Sequence, residues 1–281
     1  MKSFPIGVII ESFKKPLLEC LDLTKAIGAQ GLQLYATKGE TAPENLTGEK
    51  RRAFLNEVKA RGLKISALCG DLGHGFWDAE QNPELIRRSK LILEMAKELE
   101  TDIVTTHIGV VPKDPNHPRY KIMQDACGEL AAYADSLQAH FAIETGPETS
   151  LTLKHFLDSL NSTGVAVNLD PANLVMVTGD DPVQAVHNLK KYIVHTHAKD
   201  GVKLCDCDPE VVYGIVHKDA LVTHASFEEV PLGKGSVPFK EYLSALEEIG
   251  YDGFLTIERE VGPDPVGDIS MAADFLRSFM K

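Results

Sequence analysis

Eight short apolar runs recur along this chain, and a stretch with helical periodicity separates each run from the next. The runs are rich in Val, Ile and Leu and lack polar–apolar alternation, which is typical of parallel strands covered on both faces. We predict strands at Ile6–Ile10, Gly31–Tyr35, Lys64–Cys69, Asp102–His107, His140–Glu144, Val165–Asp170, Tyr192–His197 and Phe254–Glu258. This alternation predicts an α/β fold.

Eight strands alternating with eight helices favour a single (β/α)8 TIM barrel that spans residues 1–281. A doubly wound open sheet is the alternative. Eight consecutive units without a glycine-rich fingerprint after the first strand favour closure into a barrel instead. We therefore predict one domain with no linker.

One connection departs from this rhythm, because residues 201–238 separate the seventh strand from its helix. Such connections usually have roughly 2–6 residues. Long loops in compact domains often serve as lids or as interface arms. The sequence leaves two interpretations of this insertion open: a lid over the substrate, or a hairpin that contacts another copy in a homo-oligomer.

Charge and cysteine usage limit the compartment and the partners. The formal net charge is −12 and there is no basic run, so nucleic acid is not an expected partner. Five cysteines without regular spacing indicate a reducing compartment. No window approaches the ~20 apolar residues of a membrane span, and the first apolar run is too short for a signal peptide. These features predict a cytoplasmic protein without membrane contact.

Polar residues follow four of the later strands, and the C-terminal ends of barrel strands are where active sites lie. They are Glu144, Asp170, His197 and Glu258. Three carboxylates at close range repel one another unless a cation is present or one of them is protonated. Oxygen ligands with one imidazole predict one divalent ion, for which Mn²⁺ fits best and Mg²⁺, Co²⁺ and Zn²⁺ are alternatives. Ordinary ion pairing at the barrel mouth is the competing interpretation.

The same residues lie within longer segments that resemble the xylose-isomerase-like superfamily of sugar isomerases and epimerases. These segments are "AIETGPE" at 142–148, "NLDPANL" at 168–174, "HTHAKDG" at 195–201 and "PLGKGSVPFKEYLSALEEIGYDGFLTIERE" at 231–260. Members of the superfamily include ketose 3-epimerases, inosose isomerases and dehydratases, hydroxypyruvate isomerases and endonuclease IV-type enzymes. The ordered set of segments is specific for the superfamily and says little about the substrate.

The resemblance implies that Glu144, Asp170, His197 and Glu258 bind one divalent ion and that the two glutamates transfer protons. Removing a proton beside a carbonyl creates an enediolate, which a metal stabilises as a Lewis acid. Two carboxylates on opposite faces of a sugar can then exchange its protons. We therefore expect a metal-dependent sugar or keto-polyol isomerase/epimerase that takes a small sugar or cyclitol. A metal-dependent dehydratase acting on an inosose or dehydroshikimate-like compound, or a non-catalytic sugar-binding barrel, is the alternative.

Five further residues are candidates for substrate binding. His107 is one candidate, and its alternative role is that of a structural histidine bonded to the backbone. Glu148 is another, and its alternative role is to cap the following helix. Lys199 is a third candidate, with a solvated loop lysine as the alternative. Trp77 is a fourth, with hydrophobic packing of its loop as the alternative. Asn173 replaces a histidine that many ketose epimerases of this superfamily carry, and this difference weighs against the endonuclease branch.

Overall fold

The chain folds into a closed eight-stranded parallel barrel. The computed structural model describes residues 2–216 and 225–280. Its strands are β1 (Ile6–Ile9), β2 (Gly31–Tyr35), β3 (Lys64–Cys69), β4 (Ile103–Thr106), β5 (His140–Glu144), β6 (Val165–Leu169), β7 (Ile193–Ala198), β8 (Asp200–Lys203), β9 (Phe227–Val230) and β10 (Leu255–Ile257). All except β8 and β9 form the barrel, in the order β1-β10-β7-β6-β5-β4-β3-β2. The predicted (β/α)8 TIM barrel is confirmed, and the open-sheet alternative is wrong.

Most helices connect consecutive barrel strands. The helices are α1 (Leu17–Ala26), α2 (Gly48–Ala60), α3 (Asn82–Glu98), α4 (Pro118–Ser136), α5 (Ser150–Leu160), α6 (Pro171–Asn173), α7 (Pro182–Leu189), α8 (Pro209–Val212), α9 (Phe239–Glu248) and α10 (Pro265–Phe279). Helix α8 lies in the β8–β9 segment, and α10 follows the last strand. Several begin with proline, whose missing N–H is not needed in the first turn. Thr149 and Asp181 cap α5 and α7 through their side-chain oxygens. No helix in the described part of the chain is both long and apolar enough to span a bilayer.

At the N-terminal end of the barrel the ring of Phe254, which precedes β10, packs against Gly31 and Gly7. A Cβ on Gly31 would lie 2.3 Å from this ring, and one on Gly7 would lie 2.9 Å from Thr256 Oγ1. Glycine is therefore required at both positions, because any side chain would displace neighbouring atoms. The opposite, C-terminal end of the barrel holds the polar residues that follow β5, β6, β7 and β10.

Residues 201–238 contain most of an antiparallel hairpin, in which β8 pairs with β9, and the short helix α8. Residues 217–224 of the predicted insertion lie outside the described residues. The role of this segment, as a lid or as a contact between copies, stays a prediction.

A buried carboxylate, Asp200, holds the hairpin against the turn that precedes α9. Its Oδ1 accepts hydrogen bonds from the backbone N–H groups of Gly201 and Val237, at 2.9 and 3.1 Å. Its Oδ2 accepts from those of Gly233 and Gly235, both at 2.9 Å. Four backbone donors thus converge on one side chain.

We expect Asp200→Ala to lower the free energy of unfolding by about 3 kcal/mol, because four backbone N–H groups lose their acceptor and two of them are fully buried. Chemical denaturation measures the effect. Asp206→Ala is the matched control, since that side chain is 98% exposed and should leave stability unchanged. Equal midpoints for the two variants would show that Asp200 does not hold the turn.

Candidate active site

The structure brings Glu144, Asp170, His197 and Glu258 together at the C-terminal end of four neighbouring strands. Glu144 ends β5, Asp170 follows β6, His197 lies in β7 and Glu258 follows β10. One ligand atom from each residue lies within 4.8 Å of those of the other three. All four side chains are buried, with Asp170 at 0% exposure. We call this group the four-residue cluster.

The imidazole of His197 is oriented so that Nδ1 faces the three carboxylates. Its Nε2 lies 3.1 Å from Gln33 Oε1, to which an Nε2–H donates. Its Nδ1 lies 3.2 Å from Glu258 Oε2 and 3.5 Å from oxygens of both Glu144 and Asp170. In the neutral tautomer a lone pair therefore points at three oxygens, which is unfavourable unless a cation lies between them.

Without a metal ion, a proton on the imidazole of His197 would supply positive charge at this point. Burial lowers the pKa of His197, but the carboxylates of Glu144 and Glu258 raise it more strongly, and the net pKa lies well above its usual value. The same geometry thus calls for positive charge at this point, either as a proton or as a metal ion.

The carboxylates differ in how well the protein satisfies them. Asp170 Oδ1 accepts the backbone N–H of Asn173 at 2.9 Å, whereas its Oδ2 accepts no hydrogen bond. Burial raises the pKa of Asp170 above its usual value. Glu258 Oε2 has no well-directed hydrogen bond either, although the Lys199 ammonium lies 3.2 Å away. Burial raises the pKa of Glu258, but Lys199 and His197 lower it by a larger amount. The net pKa lies well below its usual range.

These unsatisfied oxygens fit a metal site. Buried polar atoms almost always have partners, so a carboxylate oxygen without one needs an explanation. Oxygen donors from Glu144, Asp170 and Glu258 with Nδ1 of His197 form the mixed set that Mn²⁺, Co²⁺ or Zn²⁺ accepts. These four residues could hold one divalent ion.

Two asparagines hold Glu144 in place. Asn168 Nδ2 donates to its Oε2 at 3.0 Å, and Asn173 Nδ2 donates to its Oε1 at 3.1 Å. Below them His195 donates from Nδ1 to Asn168 Oδ1 and accepts from Thr256 Oγ1, both at 2.9 Å. Burial holds the pKa of His195 well below its usual value, so this imidazole is neutral.

Neither Gln33 nor Asn168 was predicted to orient a member of the cluster; Gln33 was expected only as part of the pocket wall, which it lines. Both lie inside strands, and the pairing register shifts at Leu32/Gln33 and at Val167/Asn168. Such irregularities re-aim side chains next to active sites. The only sequence feature that could have identified them is that each is a polar residue within an otherwise apolar strand.

His107 follows β4 and lies beside the cluster. Its Nδ1 is 3.1 Å from Asp71 Oδ2, and its Nε2 is 3.7 Å from Glu144 Oε1 and makes no hydrogen bond. Burial lowers the pKa of His107, but Glu144 and Asp71 raise it, to about 9. Asp71 was not predicted; it follows β3 and orients the imidazole towards the cavity.

Lys199 is buried at 4% exposure, so its alternative as a solvated lysine is wrong. Asn173 contacts Glu144 and the cavity. Glu148 does not cap α5, because Thr149 does; its Oε2 accepts from the Val111 N–H at 3.0 Å. Burial raises the pKa of Glu148 to about 8.

A cavity of about 760 Å³ opens above the cluster, a volume within the usual range of small-molecule sites. His107, Asn173 and Lys199 line it, together with Tyr213. Neither Glu148 nor Trp77 is among the described residues of its wall. Trp77 instead stacks on His74, with ring centroids 4.8 Å apart, so the prediction that Trp77 faces the sugar does not match this geometry.

Three known proteins are similar to this chain. The L-ribulose-5-phosphate 3-epimerase of Escherichia coli K12 is 22% identical over 299 residues, which cover 99% of this chain and 96% of that protein. The inosose dehydratase of Lacticaseibacillus casei is 30% identical over 128 residues, which cover 44% of this chain and 40% of that protein. The crystal structure of a xylose isomerase domain protein from Planctomyces limnophilus has the same fold, with a TM-score of 0.80 and 24% identity over 99% of this chain and 97% of that one.

A family comparison agrees with these similarities. The model of the family described as xylose isomerase-like TIM barrel matches residues 21–279. The matched segment contains the four-residue cluster and every barrel strand except β1. The chain therefore belongs to the xylose isomerase-like TIM-barrel family.

Proposed function

We propose that this protein is a divalent-metal-dependent sugar or keto-polyol isomerase/epimerase. The observation that carries the proposal is the placement of Glu144 and Glu258 at the two ends of the four-residue cluster, both lining one cavity. Two carboxylates flanking a bound ketose can reach protons on its opposite faces.

Each residue has a distinct part in the proposed reaction. Glu144, Asp170, His197 and Glu258 would hold the ion, Mn²⁺ by preference, which supplies stabilisation of negative charge on the substrate oxygens. Glu258 remains ionised beside Lys199 and removes a proton from the carbon next to the carbonyl. Glu144, held by two asparagines, takes up a proton from solvent and delivers it to the opposite face, and Glu258 releases its own proton to solvent. Return to the same carbon gives an epimer, and delivery to the neighbouring carbon gives an aldose–ketose pair.

The test is proton NMR in deuterated water with the Mn²⁺-loaded protein and a panel of ketoses and inososes. We expect deuterium to enter at the carbon next to the carbonyl as product forms, and we expect a chelator to stop both. A protein that is fully loaded with metal but exchanges no proton of any compound would contradict the proposal.

A dehydratase reaction is the second candidate, and the similarity to an inosose dehydratase supports it. The same base would remove the proton, and a hydroxyl group on the next carbon would leave as water. The two reactions differ in product mass, because dehydration removes one water and isomerisation leaves the mass unchanged.

We further propose that His107 donates a hydrogen bond from Nε2 to a substrate oxygen and that Asp71 is its positioning residue. Asp71→Asn and His107→Gln should each lower kcat/KM by about tenfold to a hundredfold. The kcat/KM of the double variant should equal that of the less active single variant, because both changes remove the same interaction. Metal content should stay at the wild-type value. Additive losses, or loss of metal, would contradict this role.

A further inference from the structure

The substrate of the proposed reaction must also fit the charges in the rest of the cavity. The four-residue cluster lies at its floor, and the wall extends over the β8–β9 hairpin and the residues after β10. Among the described lining residues, the cationic side chains outside the cluster are His107, Lys199 and Arg259. Each of the three already has an acidic partner.

Lys199 is surrounded by carboxylates. Its ammonium hydrogen-bonds to Glu260 and lies 3.2 Å from Glu258 Oε2 and 3.9 Å from Glu229 Oε2. These contacts leave the ammonium no uncompensated charge. A second anion would therefore have to displace a carboxylate of the protein.

Arg259 is paired on two sides of its guanidinium. Nη1 donates to Glu229 Oε1 at 2.7 Å, and Nε donates to Asp268 Oδ2 at 2.8 Å. The residue is 7% exposed, so its geometry is set by packing as well as by charge. Bidentate capture of a phosphate, through Nη2 together with Nε or with Nη1, would require the bond to Asp268 or the bond to Glu229 to break.

Among the described residues, the turn Gly233-Lys234-Gly235 is a further place where backbone N–H groups could bind an anion. Converging N–H groups form nests that bind phosphate in other proteins. Here the N–H groups of Gly233 and Gly235 both donate to the carboxylate of Asp200, together with those of Gly201 and Val237. The chain's own side chain occupies this nest.

Among the described residues, the remaining charged groups on the hairpin side of the cavity are carboxylates, since Glu228 and Glu260 also line it. A phosphate monoester carries a charge of about −1.5 to −2 at neutral pH. It would face these carboxylates without a free cation among the described residues. An uncharged polyol tail would instead form ordinary hydrogen bonds with the same groups.

We propose that this site takes an uncharged keto-sugar or keto-polyol and discriminates against the corresponding phosphate esters. The inference rests on the proposed function. It separates this chain from the similar E. coli enzyme, which is named for L-ribulose 5-phosphate.

The experiment compares matched pairs of compounds on the Mn²⁺-loaded protein, such as L-ribulose with L-ribulose 5-phosphate and D-fructose with D-fructose 6-phosphate. Solvent deuterium incorporation gives kcat/KM for each. We expect at least a hundredfold preference for the free sugar of any pair that reacts. Equal or faster exchange of the ester would overturn the inference and leave the proposed function intact. No exchange with any compound would overturn both.

A charge variant tests the cause of the preference. Glu260→Gln removes a carboxylate that pairs with Lys199 and repels a phosphate. The preference for the free sugar should therefore fall by about tenfold, which is the effect of an interaction that shifts a pKa by one unit. Glu241→Gln is the matched control, because that carboxylate lies exposed on α9, outside the cavity wall. An unchanged ratio in Glu260→Gln would contradict the electrostatic origin of the discrimination.

Discussion

Replacing Glu258 with Gln is expected to lower kcat by about a thousandfold, which is within the usual contribution of one general base. The amide retains the shape of the side chain and can still offer an oxygen to a metal, but it cannot accept the substrate proton. Lys199 keeps its contacts with Glu260 and Glu229, so the melting temperature should stay close to that of the wild type. Turnover and deuterium exchange measure the loss, and circular dichroism checks the fold.

Glu241→Gln serves as the control for this variant, since it changes the net charge equally on the outer face of α9. It should retain full activity. Substantial turnover by Glu258→Gln, in a protein that keeps its metal, would show that Glu258 is not the base.

Replacing Asp170 with Asn should abolish the stabilisation that a divalent ion gives. A ligand at a hundredfold excess over its Kd stabilises a folded protein by about 2.7 kcal/mol, and the wild type should gain on this order with Mn²⁺. Asn can still accept the N–H of Asn173, but it provides no charge for the ion. The metal-free variant should be at least as stable as the metal-free wild type, because a buried carboxylate with a raised pKa is removed.

Thermal unfolding with and without Mn²⁺, after treatment with a chelator, measures this difference. Asp252→Asn, an exposed position before β10, should keep the full shift of the wild type. If Asp170→Asn shows the same shift as the wild type, the ion binds elsewhere.

The barrel could be predicted from the sequence because its strands are buried on both faces. Every residue of β1 and β6 is buried, which explains why the apolar runs lack alternation and predict parallel strands covered on both faces. The gathering of Glu144, Asp170, His197 and Glu258 followed from topology, since parallel strands end on one side of a barrel. The strand order alone was therefore enough to predict that the four residues lie close together.

The supporting residues could not be predicted in the same way. Gln33 and Asn168 reach His197 because the strand register shifts beside each of them, and a register shift leaves no periodic signal in the sequence. Loop residues were the least predictable. Trp77 packs on a neighbouring histidine and Glu148 binds a backbone N–H of another loop, contacts that depend on tertiary packing alone.

The most direct measurement is an anomalous-scattering map from crystals of the protein grown with Mn²⁺. We expect one peak per chain, within coordination distance of oxygens from Glu144, Asp170 and Glu258 and of Nδ1 of His197. A peak at another place, or a fully ordered cluster without any peak at saturating Mn²⁺, would contradict a metal centre at the mouth of this barrel.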